Sequence, residues 1–82
     1  MIKFKSIRVP HYSRGVSEWH VVNRANHQLL GFIRFYGTQS DYHYVAYVKD
    51  DNDTGSHLLG RSLSQDGALR LIRNHYKQRE DI

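Results

Sequence analysis

Up to Ser62 the chain alternates apolar and polar residues with a period of two, and beyond it the spacing turns helical. The alternation predicts strands. "IKFKSIRV" sets Ile2 and Phe4 against Lys3 and Lys5, then slips at Ser6–Ile7, so an irregular first strand is expected. Pro10 and Gly15 interrupt the chain, because proline donates no ladder hydrogen bond and glycine frees the backbone. "EWHVVN" reads as a second strand with Trp19 and Val21 on one face. "LLGFIRFYG" reads as a third, with Leu29, Gly31, Ile33 and Phe35 on one face and Leu30, Phe32, Arg34 and Tyr36 on the other. "YHYVAYVKD" is the fourth strand, and "SHLLGR" a short fifth. The polar stretches "RANHQ", "TQSD" and "DNDTG" between them read as turns.

In "SLSQDGALRLIRNHYKQR", Ala68, Leu69, Ile72 and Tyr76 recur at helical spacing with Leu71 beside them. Ser64 is a good N-cap, since its hydroxyl can accept an otherwise unpaired backbone N–H. Asp66 falls in the first turn, where the helix dipole favours an anion. Ser62 with Gln65 offers a competing capping box. Arg70, Arg73 and Lys77 fall on the opposite stripe. The expected fold class is α+β: an antiparallel sheet of three to five strands packed on one C-terminal α-helix, forming one domain over residues 1–82. Leu69 and Ile72 should be buried against the sheet.

One helix can cover only one sheet face, so the other meets solvent or a partner. Tyr44, Ala46 and Val48 suit the covered face, because the small Ala46 leaves room for a helix. His43, Val45, Tyr47 and Lys49 then line the open face beside Phe32, Arg34 and Tyr36. Cations for phosphates and aromatics for bases make such a face a candidate polyanion surface.

Composition narrows the classes. The chain has 82 residues and a net charge of +4, with no cysteine. A basic balance favours anionic partners. Absent cysteine excludes disulfides, thiolate chemistry and cysteine-based zinc sites, and fits a reducing cytoplasm. No apolar run is long enough to span a membrane, and "MIKFKSIRV" lacks the apolar core of a signal peptide. The six histidines, at 11, 20, 27, 43, 57 and 75, lack the close spacing of a zinc site. His20 and His43 could meet only if their strands pair, and no metal or cofactor is expected. "DDNDTG" carries Asp50, Asn52, Thr54 and Gly55 like a calcium loop, but the twelfth position is Arg61 rather than a bidentate acid, so it reads as a hairpin turn. No nucleophile elbow, paired-acid signature, P-loop or dinucleotide fingerprint is present, so no enzyme is expected. Trp19 is read as core.

The segment "GFIRFYG…YHYVAYVKDDNDTGSHLLGRSLSQDGALRLI" resembles the AP2/integrase amino-terminal class of DNA-binding domains. Tyr44, Ala46, Val48, Lys49 and Asp50 match its aromatic–x–Ala–x–aliphatic–basic–Asp strand. Leu59–Gly60, Ser64 and Ala68 match the turn and capped helix that follow. The resemblance implies a sheet whose open face lies in the major groove of DNA. A second pattern, "W-x-V-x-N…LGFI…Y", is similar to small phage and mobile-element proteins. Together they lead to the expectation of a small nucleic-acid-binding module, phage or mobile-element encoded, working in the host cytoplasm. Its expected contacts are Arg34, Tyr36, His43, Tyr47 and Lys49, with Lys3, Lys5, Arg70 and Arg73 as peripheral phosphate contacts. Two alternatives stand beside it: a phage-type inhibitor or adaptor that binds a host protein such as a defence nuclease, and a homodimer.

Overall fold

Five strands form one antiparallel sheet in the order of the chain: β1 (Phe4–Val9), β2 (Val16–Asn23), β3 (Leu29–Gly37), β4 (Tyr42–Lys49) and β5 (Ser56–Ser62). A single helix, α1 (Gln65–Glu80), follows and packs on β3, β4 and β5. This is the α+β sheet-and-helix architecture that the change of period predicts. The computed structural model describes residues 3–11, 15–37, 42–49 and 55–80. Asp50–Thr54 of the turn weighed as a calcium loop lie outside the described residues.

Each strand pairs with its sequence neighbour, so only short turns are needed. The β2–β3 turn shows the chemistry. Asn23 and Asn26 accept backbone N–H bonds from Ala25 and Gln28 through their side-chain oxygens. His27 adopts a φ of 61°, a left-handed conformation that closes the turn at some steric cost. The backbone N–H of Asn23 donates to the carbonyl of Gln28 at 2.9 Å, which begins the ladder.

The core lies between the sheet and α1. Val21, Ile33, Ala46, Val48, Ala68 and Ile72 form its buried centre, with Phe4, Trp19, Tyr44, Leu59, Leu69, Leu71 and Tyr76 packed around it. Trp19 therefore belongs to the core margin, with its ring 5.9 Å from that of Tyr44. Ile72 is fully buried as expected, whereas Leu69 is only half-buried and Ala68 takes the deeper position. Directly opposed pairs in an antiparallel sheet share a face, and the β3–β4 register pairs Ile33 with Ala46 and Phe35 with Tyr44. Gly31 pairs with Val48 there, and a Cβ on it would collide with the carbonyl oxygen of Tyr47.

The helix begins where Ser64 caps it. The N–H of Gly67 donates to Ser64 Oγ at 3.0 Å, and Ser62 Oγ accepts from the N–H of Ser64 instead of competing as the cap. At the far end Tyr76 donates its hydroxyl proton to the carbonyl of Leu30 at 2.7 Å and sets its ring against Phe4. The helix thus crosses the sheet from the β5 side to β1, tied at both ends.

β1 corrects one detail. Its pairing with β2 is regular from Phe4 to Val9, without the slip expected at Ser6–Ile7. The irregularities fall at Val21/Val22 and Ala46/Tyr47 instead. The apolar residues of β1 change faces: Phe4 packs toward α1, while alternation carries Ile7 and Val9 to the face α1 leaves uncovered.

Candidate nucleic-acid interface on the open sheet face

The registers of the four strand pairs align two complete rows across the uncovered face. One row runs Val9, Glu18, Arg34, Val45, Arg61. The next runs Ile7, His20, Phe32, Tyr47, Leu58. A third, shorter line pairs Val16, Tyr36 and His43 on the other side of the first. The face is therefore banded, with an ionic row between an aromatic pair and an apolar row.

The ionic row is organised by one ion pair. Arg34 Nε donates to Glu18 Oε1 at 2.6 Å, and His20 Nε2 lies 3.4 Å from Glu18 Oε2. The side chain of Glu18 is 12% exposed and that of Arg34 34%. Burial pushes the Glu18 carboxyl up, but the hydrogen bond and charge of Arg34, with His20 and His11 nearby, outweigh it and hold the group below the usual carboxylate range. The hydrogen bond to Glu18 in turn raises Arg34, against the effect of burial, and the neighbouring Tyr36 hydroxyl acts in the same direction as Glu18.

The aromatic side chains close around this pair. The rings of Phe32 and Tyr47 stack with centroids 4.7 Å apart and planes 18° from parallel. The Arg34 guanidinium lies 4.8 Å from the Phe32 centroid and 5.6 Å from that of Tyr47, within cation–π range. Tyr36 stacks on His43 at 5.8 Å. Burial and a hydrogen bond shared with Tyr36 push the Tyr47 hydroxyl up, although Arg34 pulls the other way. Tyr47 therefore stays a neutral hydrogen-bonding group at physiological pH.

The fold brings Arg34, Tyr36, His43 and Tyr47 together, half-buried at the centre of the open face, with the exposed Lys49 at the end of β4. Lys5 is exposed on the same face of the edge strand β1, and Lys3 just precedes that strand. Arg70 and Arg73 stand elsewhere. They are exposed on α1, in the other layer of the fold, and Arg73 lies 5.9 Å from the Phe4 ring. They cannot contact a ligand centred on Arg34 without its wrapping round the molecule.

Sequence reasoning missed Glu18, His20, Ile7 and Arg61 as members of this face. For Glu18 and His20 the signal was present, because their parity is opposite to that of Trp19 and Val21. Arg61 needed the bulge beside Leu59, which resets the parity of β5. His20 and His43 do not meet, since β3 separates their strands. Among the described residues no group of three or more histidines, cysteines or acids could hold a metal ion. No described helix is long and apolar enough to cross a membrane.

Comparison with protein-family models, with curated proteins and with solved structures finds no match for this chain.

Proposed function

We propose that the chain is a non-enzymatic nucleic-acid-binding module, encoded by a phage or other mobile element and working in the host cytoplasm, which takes its ligand on the open sheet face. One observation carries the reading: aromatic side chains fill the centre of that face while Lys5, Lys49 and Arg61 lie exposed toward its edges. Stacking groups flanked by cations suit a polymer of planar bases on an anionic backbone. The net charge of +4 acts in the same direction, and so does the resemblance to sheet-face DNA binders.

On this reading Arg34, whose charge is matched by Glu18, serves to hold Tyr36 and Tyr47 in place, and phosphate contact falls to the edge cations. Fluorescence anisotropy of labelled oligonucleotides, single- and double-stranded, at several salt concentrations tests the reading. Affinity should fall linearly on logarithmic axes as salt rises. Binding weaker than millimolar at low salt would end it.

A second reading has its own observation. Ile7 and Leu58, 41% and 61% exposed, end the apolar row. Exposed aliphatic groups beside tyrosine and arginine suit a protein interface, so a phage-type inhibitor or adaptor docking a host protein is the alternative. A binding partner retained from lysate after nuclease treatment would favour it.

A further inference from the structure

We infer that the nucleic acid taken by this face is single-stranded, with its bases lying along the row Ile7–His20–Phe32–Tyr47–Leu58 and its backbone directed to the edge cations. The inference rests on the nucleic-acid reading above and specifies its ligand. The row crosses all five strands, a length of about 19 Å at roughly 4.8 Å per strand spacing. Both ends are exposed aliphatic side chains and its middle is a stacked ring pair. Such a band gains by being covered with apolar or planar groups.

A duplex offers few of them. Its base faces are hidden in the stack, and it presents phosphates and groove edges. A single strand exposes both base faces and a phosphate backbone, and sheet-face aromatics elsewhere commonly stack two or three bases. The Glu18–Arg34 pair points the same way. With the two charges matched across 2.6 Å, the centre of the face offers phosphate no net attraction, so the backbone is drawn to the edge cations and bases occupy the centre. Charge also argues against a second copy as the occupant. Each face carries Lys5, Arg34, Lys49 and Arg61 against Glu18, so two faces brought together would set like charges opposite each other.

The experiment uses the full chain and three labelled probes at one low salt concentration: an oligothymidylate of about 12 nucleotides, within the usual site size of a small domain, an abasic strand of the same length, and a duplex of the same length. The oligothymidylate should bind at least about tenfold more tightly than either of the others, the order expected for one or two stacked bases. Tyr47→Leu keeps apolar bulk but removes the ring, and should weaken oligothymidylate binding by roughly 5- to 150-fold. Leu58→Glu, at an exposed position, should weaken it without altering the melting temperature, so the test does not depend on Tyr47→Leu folding. Equal binding of the abasic strand, or tighter binding of the duplex, overturns the inference while leaving the broader nucleic-acid reading intact. Failure of all three probes to bind overturns both.

Discussion

Arg34 and Glu18 lie directly opposite each other on neighbouring strands, joined by a 2.6 Å hydrogen bond from guanidinium to carboxylate. The pair is the polar centre of a face whose middle is otherwise made of rings and aliphatic groups, with cations toward its edges. Its pH dependence follows from the direction of the Glu18 shift. A carboxyl held below its ordinary value stabilises the fold above the unfolded value of 4.5, and that contribution is lost as pH falls through the lower folded value. Glu18→Gln should therefore cost about 1 kcal/mol at neutral pH, near the upper end for partly exposed pairs. The difference from the parent should shrink as pH drops below 4.5 and close once the carboxyl is protonated. Urea melts across that range measure it. A difference that stays constant with pH would mean that packing, not charge, sets the cost.

Gly31 gives a prediction about the sheet itself. A methyl group there meets the backbone of the neighbouring strand at Tyr47, and backbone cannot swing aside as a flexible side chain can. Gly31→Ala should destabilise by about 1–3 kcal/mol, the usual range for overpacking, and should disturb the Phe32–Tyr47 stack next to it. Near-ultraviolet circular dichroism and thermal melts would report the two effects.

On the helix, Ile72→Ala removes a fully buried side chain between α1 and the sheet and should cost about 2–5 kcal/mol. Leu69→Ala should cost distinctly less, because Leu69 is half-buried at the margin of the core. Ser64→Ala removes the acceptor for the Gly67 N–H and should cost about 0.5–2 kcal/mol. Chemical denaturation of the three variants checks both the order and the cap. Equal losses at positions 69 and 72 would contradict the docking of the helix.

The architecture was legible because its cause is local. A period of two that gives way to a helical period near Ser64, with Ser64 itself as cap, needs no knowledge of pairing. The two-faced character of β4 was legible for the same reason, since Ala46 and Tyr47 must point apart. What stayed hidden depends on register. Nothing local to Glu18 says that Arg34, sixteen residues on, will sit opposite it, so Arg34 read as an available cation. Leu58 and Arg61 come to share a face only through the bulge at Ala46/Tyr47, and alternation alone separates them. The apparent slip in β1 was itself a trace of the open face: Ile7 breaks the pattern because it ends the apolar row on the side away from the helix.

The role of the ion pair in ligand binding can be separated from that of the edge cations by salt dependence. Each cation that neutralises a phosphate adds about 0.7–0.9 to the slope of log affinity against log salt. Lys5→Ala and Arg61→Ala should each lower that slope by roughly this amount if they meet phosphates. Single removal of Arg34 is ambiguous, because it also bares the Glu18 carboxylate. The informative variant is the double replacement Glu18→Gln with Arg34→Gln, which removes one charge of each sign. It should leave the slope unchanged while loosening Tyr36 and Tyr47, and so weaken base contact. Glu18→Gln alone releases the guanidinium and should steepen the slope by about one contact. Anisotropy titrations at four or so salt concentrations resolve all of these. A double variant whose slope falls by a full contact would make Arg34 a phosphate ligand and return the centre of the face to the backbone of the nucleic acid.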